Sequence, residues 1–242
     1  MSFTATTASL QKRTEEAIRY ALEYKLGEWG TLYATVTAAT QFIVADASIT
    51  GTTTPVVGDS LWIGASSRTI TVITHSASAP AGYRVTVSAA VTATTADVVR
   101  FDYSENVRRS DDMRSREEIP WLCFVQCINV KQDDPGSAYH TGNLVVSLHS
   151  LFNTIAADDG DAVTDASLIT DLAPHEAKIT VINGILNAPV TLWNLVKPGA
   201  TNRPISDLGI VAILNAEQPG SASVDGLHNY EVRKTIRLID SD

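Results

Sequence analysis

The sequence contains no apolar run long enough to cross a membrane, and it is poor in basic residues. Hydrophobic residues make up 44% of the 242 residues but are interrupted by polar ones, whereas a membrane helix needs about 18 or more apolar residues in a row. The first residues carry no apolar core ahead of their charges, so no signal peptide is expected. The net charge is −9, which argues against a nucleic-acid-binding protein because such proteins need clustered lysine and arginine.

Cysteine is scarce, with only Cys123 and Cys127 in the chain. Both lie in the apolar run 121–130, which is typical of a buried strand. Four residues of strand span roughly 13 Å, which is too far for a disulfide. We therefore expect two inert core thiols, with a metal or redox role as the less favoured alternative.

The sequence patterns that mark enzyme active sites are missing. Residues 58–60 lack the glycine that follows the serine in a nucleophile elbow, and there is neither a phosphate-binding glycine loop nor a dinucleotide fingerprint. The five histidines are scattered without zinc spacing. The acidic run 158–161 lacks the ligand spacing and the closing glutamate of a calcium loop. We therefore expect a protein that is not an enzyme and that uses no metal and no cofactor.

Residues 31–101 differ from the rest of the chain in composition. They are rich in threonine and alanine and contain no lysine. Short β-rich stretches separated by turn residues predict six strands, and this spacing indicates a small antiparallel barrel or sandwich. Because so little charge protects the strand edges, a partner could cover this surface; the alternative is a threonine-rich face exposed to water.

The remainder predicts an α+β domain into which this β module is inserted. Residues 9–26 carry an apolar stripe at helical spacing, and Gly27 supplies the stop. Residues 121–130 and 143–152 predict strands, a second helix is expected from near Pro174, and residues 208–239 predict a closing hairpin. The expected fold class is a mixed or antiparallel sheet with two helices packed on one face, plus the inserted module. The expected organisation is 1–30 for the first helix, 31–101 for the β module, 102–118 for a charged linker, and 119–242 for the rest of the α+β domain.

This order of elements resembles the tail terminator family of long-tailed bacteriophages, whose members pair an N-terminal helix with two strands, a long helix and a closing hairpin. The residues that carry the resemblance are 10–26, 119–125, 144–152, 171–176 followed by 179–186, and 230–239. Within the insert, residues 57–64 and 68–72 are similar to β modules of phage structural proteins.

The resemblance implies a mechanical function in the virion. Members of the family form a hexameric ring that caps the finished tail tube, stops its polymerisation and presents a surface to the head connector. It implies a homo-oligomer of the tail or neck, assembled in the host cytoplasm, whose partners are the tail tube protein and the head connector or stopper. DNA would pass through without specific binding, which suits an acidic chain, and no membrane is involved. The alternatives are another neck or minor tail protein, or a β module that binds a carbohydrate or a receptor.

Two sets of residues are candidates for contacts in such an assembly, and a solvated surface is the alternative for every member. The candidates for subunit or partner interfaces are Arg108, Arg109, Arg114, Arg116 and Trp62. The acidic candidates for the lumen or a ring face are Asp158, Asp159, Asp161 and Glu176.

Overall fold

The computed structural model describes residues 10–50, 53–109, 121–137, 139–151, 165–187, 210–216, 220–224 and 227–239. The chain divides into two compact units. The first, here called the β unit, contains Glu23–Tyr103. The second, the α+β unit, contains the described residues up to Leu22 and those from Ser104 onward. The α+β class predicted from the sequence is confirmed.

Helix α1 (Leu10–Gly27) forms where the sequence predicts a helix. Its buried apolar residues, Ala17, Ile18, Ala21 and Leu22, recur at the spacing of one helical face. The helix ends at Gly27, where a Cβ atom would lie only 2.7 Å from the carbonyl oxygen of Phe101. Glycine therefore allows the chain to pass close to its own later strand at this point.

The β unit is a six-stranded antiparallel sheet. Its strands are β1 (Glu28–Thr31), β2 (Val36–Ala45), β3 (Ser60–Ile63), β4 (Ser66–Ser76), β5 (Gly82–Ala93) and β6 (Val98–Phe101), in the order β1-β6-β3-β4-β5-β2. Leu32 bridges Val44, and the Tyr33 N–H donates to the Ile43 carbonyl at 2.8 Å. These bonds join the two ends of the strand order, so the sheet closes on itself.

Alternate side chains of the β unit fill the interior of this closed sheet. On β3, for example, Leu61 and Ile63 are buried while Trp62 is half-buried, as the two-residue period of a strand requires. A bulge between Ile70 and Val72 accompanies the passage of β4 from its pairing with β3 to its pairing with β5. The core consists of Trp29, Leu32, Val36, Phe42, Val44, Leu61, Ile63, Ile70, Val85, Val87, Val91, Ala93, Val99 and Phe101.

The α+β unit contains a mixed sheet. Its strands are β7 (Val107–Arg109), β8 (Trp121–Gln132), β9 (Tyr139–Leu151), β10 (Ile210–Ala216), β11 (Gly220–Val224) and β12 (Leu227–Ile239). The order is β10-β12-β9-β8-β7, and β11 also pairs with β12. Strand β7 runs parallel to β8, and the other pairs are antiparallel.

Helix α2 (Asp165–Asn187) contacts this sheet through hydrogen bonds of Asn183 with Tyr230 and of Asn187 with Lys234 on β12. Ile182, Ile185 and Leu186, spaced to share one face of the helix, are buried. Every second residue of the central strands points to the same face of the sheet, and register aligns these residues across the strands. Val125, Val146 and Val232 form one such row, and all three are buried, so this face is apolar. The intervening residues, such as Val145 on β9, lie on the opposite face and are half-exposed.

Two elements differ from the sequence prediction. The expectation that the second helix begins near Pro174 is wrong, since α2 begins at Asp165 and contains Pro174 in its interior. Proline has no N–H, so this position lacks one helical hydrogen bond, which the buried face of the helix must offset. Strand β7 lies within the segment 102–118, where the charged composition predicted a linker. Within β7, Val107 is fully buried. The segment forms a strand because it pairs with β8, which its charged composition does not indicate.

Candidate functional site

A group of polar side chains lies where β9, β12 and α2 meet in the α+β unit. Register places Ser150 opposite His228 and His149 opposite Asn229. Because side chains alternate along a strand, Ser150 and His228 share the face that α2 covers, whereas His149 and Asn229 share the other. Helix α2 contributes His175. We refer to His149, Ser150, His175 and His228 as the histidine cluster.

The covered part of the histidine cluster is tightly packed. His175 Nδ1 and Ser150 Oγ lie 2.8 Å apart, within hydrogen-bond distance, and the two residues are 2% and 9% exposed. The rings of His175 and His228 are tilted by 34° with their centroids 5.3 Å apart. One helical turn beyond His175, the Lys178 ammonium lies 5.1 Å from the centroid of the Trp121 ring.

These surroundings favour the uncharged form of the central imidazole. Burial, and then the neighbouring His228, Lys178 and His149, lower the pKa of His175 from 6.5 to about 4. Burial also lowers the pKa of Lys178. His175 is therefore neutral at pH 7 and sits in a place where positive charge is unfavourable.

The pairing of a serine with a histidine invites comparison with a catalytic nucleophile and its base. A base with a pKa near 4 accepts a proton poorly at neutral pH. No hydrogen-bond partner for His175 Nε2 is found among the described residues, so the carboxylate that orients the base in a serine triad has no counterpart there. The histidine cluster is thus better suited to positioning α2 than to attacking a substrate.

The structure places four of the residues singled out from the sequence. On β7, the buried Arg108 guanidinium lies 2.9 Å from the Glu105 carboxylate, and its Nε donates to the Glu105 carbonyl at 2.6 Å. Arg109, at the end of the same strand, is half-buried. Glu176 is exposed on α2. The remaining candidates, Arg114, Arg116, Asp158, Asp159 and Asp161, lie outside the described residues.

The fourth residue, Trp62, belongs to an aromatic and cationic stack on the β unit. It lies opposite Arg100 of β6, whose guanidinium is 6.0 Å from the Trp62 ring and 4.1 Å from the Tyr24 ring. Arg100 is buried by these contacts. Sequence reasoning missed Arg100, although a single charge within the apolar strand Val98–Phe101 is a signal that could have identified it.

Apolar side chains are exposed elsewhere on the β unit. Val56 and Val57 are both exposed in a turn whose Gly58 N–H donates to the Ile70 carbonyl at 3.0 Å. Val72, two residues further along β4, is exposed as well. The low-charge segment therefore presents apolar as well as threonine side chains to its surroundings.

The described residues contain no group of three or more histidine, cysteine, aspartate or glutamate side chains that could hold a metal ion. No described helix combines the length and the apolar character needed to span a membrane. Comparison with family models, curated proteins and solved structures finds no match to this chain.

Proposed function

We propose that the chain is a virion structural protein that forms a ring, terminates a bacteriophage tail tube and connects the tube to the head. What supports the proposal is the order of elements: α1, the β unit, β8, β9, α2 and then the closing strands β10 to β12. With the β unit set aside, this is the order in which the sequence resembles tail terminators. In this proposal both helices lie on the same face of the sheet.

The observation that carries the proposal is the attachment of α1 to the α+β unit. The Cys127 N–H on β8 donates to a Glu15 carboxylate oxygen at 2.9 Å, across 112 residues of chain. An Arg19 guanidinium N–H also donates to the Val107 carbonyl of β7, at 3.5 Å. The segments that precede and follow Glu23–Tyr103 in the sequence therefore belong to one unit. This supports treating the β unit as an insertion into a terminator-like domain.

The charge of the chain fits the same function. Each subunit carries a net charge of −9, and a lumen lined by this excess of acidic residues would be negative. Such a lumen repels the DNA backbone and lets DNA slide without binding. A closed ring also needs one repeated side-to-side contact, and in this proposal Arg114 and Arg116 pair with acidic groups of the neighbouring subunit, whereas Arg108 is buried and bonded to Glu105 of its own chain.

Mass photometry of the purified chain, alone and with phage tail tubes, tests this proposal. The subunit mass is 25.9 kDa, so a hexameric ring should appear at about 155 kDa, either in free solution or once tubes are added. Arg114→Glu and Arg116→Glu should lower the ring population, whereas Arg233→Glu, on an exposed strand residue bonded to Glu231, should leave it unchanged. A chain that stays monomeric and does not bind tubes would contradict the proposal.

The second candidate function is a carbohydrate- or receptor-binding β unit. The exposed Tyr33 favours it, because glycan sites commonly use accessible aromatic rings. Trp62 and Tyr83 are half-buried, and Tyr83 packs against Trp29 with ring centroids 5.4 Å apart. Glycan binding that is lost in both Tyr33→Ala and Trp62→Ala would favour this function over the ring.

A further inference from the structure

We propose that the histidine cluster is a pH-sensitive switch that holds α2 on the sheet at neutral pH and releases the helix on acidification. This inference concerns the stability of one contact within the α+β unit and does not depend on the ring. It rests on the position of His175 between α2 and the sheet, on its burial, and on the charges that surround it.

Among the described residues, three hydrogen-bond contacts, made by His175, Asn183 and Asn187, fasten α2 to the sheet, in addition to the contact of Lys178 with Trp121. Towards the C-terminus of the helix, the Tyr230 hydroxyl donates to Asn183 Oδ1 at 2.7 Å, and the Lys234 ammonium donates to Asn187 Oδ1 at 2.8 Å. Closer to the N-terminus of the helix, His175 Nδ1 lies 2.8 Å from Ser150 Oγ on β9. Losing the His175 contact therefore loosens the part of the helix that the two asparagines do not hold.

The groups that face His175 are neutral or basic. Strand β9 presents Ser150, β12 presents His228, and α2 itself presents Lys178, whereas His149 acts on His175 from the other face of the sheet. Of the carboxylates whose side chains the structure describes on these elements, Glu176 is exposed on α2 and Glu231 is exposed on the far side of the sheet. No ion pair between His175 and a carboxylate is found within the described part of the chain.

A proton added to His175 therefore creates a buried positive charge beside other basic groups. Such a charge is costly unless it is paired, and the described residues around His175 include no negative partner for it. Release of α2 exposes the imidazole to water, where the charged form is hydrated. Protonation and release of the helix are thus coupled.

The direction of the pH effect follows from the two protonation equilibria. The pKa of His175 is about 4 in the packed state, against 6.5 for the ordinary imidazole. The released state binds more protons between these values, so α2 is most firmly held above pH 6.5 and is progressively released as the pH falls towards 4. The release equilibrium should shift about tenfold per pH unit across this window, and on the order of 100-fold between pH 7 and pH 4.

Hydrogen exchange of the backbone amides, corrected for the intrinsic pH dependence of exchange, measures this release in the intact chain. The amides of α2 in the wild-type chain should lose protection by the stated factor between pH 7 and pH 4, ahead of those in the β unit. In His175→Gln, which has no imidazole at this position, α2 should lose much less protection than in the wild type over the same pH range. The matched control is His75→Gln, an exposed histidine of the β unit bonded to Asp46, which should behave like the wild type.

Equal protection of α2 at pH 7 and pH 4 in the wild-type chain would overturn the proposal. So would a pH dependence in His175→Gln as steep as that of the wild type. An NMR titration of the His175 ring in the wild-type chain needs no variant to fold. A midpoint near pH 4 to 5 supports the switch, and a midpoint at or above 6.5 contradicts it.

Discussion

Replacement of Glu15 by alanine should destabilise the α+β unit by removing the bond that fastens α1 to the edge of the sheet. The Glu15 side chain is only 5% exposed, and its carboxylate accepts the N–H of the fully buried Cys127 at 2.9 Å. Alanine leaves that N–H without an acceptor in a place that water does not reach. An orphaned buried donor costs about 1–3 kcal/mol, and a bond to a charged acceptor lies at the upper end of that range.

We therefore expect Glu15→Ala to lower the free energy of unfolding by about 2 kcal/mol, which corresponds to roughly 4–8 °C in Tm for a chain of this size. Urea unfolding followed by circular dichroism measures the first quantity, and a thermal scan measures the second. Glu15→Gln keeps a carbonyl acceptor and should lose less than half as much. The amide of Cys127 should also exchange faster with solvent in the alanine variant.

Glu16 supplies the matched control, because its carboxylate is 39% exposed and pairs with Arg19 at 2.8 Å on the surface of the same helix. An exposed pair of this kind contributes about 0–1 kcal/mol, so Glu16→Ala should be nearly neutral. If Glu15→Ala and Glu16→Ala are equally stable, the attachment of α1 through Glu15 is refuted.

Two further predictions concern the core of the β unit and the thiol of Cys123. Leu61 is fully buried in the β unit, so Leu61→Ala should lower the free energy of unfolding in urea by about 2–5 kcal/mol. The control Val72→Ala changes an exposed side chain and should alter that free energy by at most about 0.5 kcal/mol. Similar losses for both variants would contradict the assignment of the core. Burial raises the pKa of Cys123 to about 12, so a disulfide reagent at pH 8 should leave this thiol unmodified in the folded chain and modify it in denaturant. Rapid labelling of Cys123 in the folded protein would contradict its burial in the α+β unit.

Regular periodicity explains which elements could be predicted from the sequence. The apolar stripe of α1 and the alternation along β9 and β12 reflect burial on one side, and the structure buries those sides. Contacts between distant residues leave no such trace: the bond between Tyr33 and Ile43 that closes the β unit depends on how the strands meet in space.

The histidine cluster shows the same limit for a site. His149 and Ser150 are adjacent in the sequence, where a histidine of an ordinary strand is a simpler interpretation than a catalytic base. The partner of Ser150 is His175, which lies 25 residues further on and belongs to a helix. Only the packing of α2 on the sheet brings the two together. Similarly, the stacking of Arg100 on Tyr24 joins a strand to a helix across more than 70 residues of sequence.

The most direct test of the proposed function is electron microscopy of phage tail tubes polymerised with and without the purified chain. The ring proposal predicts a disc of density at one end of each tube and a stop to further growth when fresh tube subunits are added. Tubes with bare ends that continue to lengthen equally in the presence of the chain would contradict it.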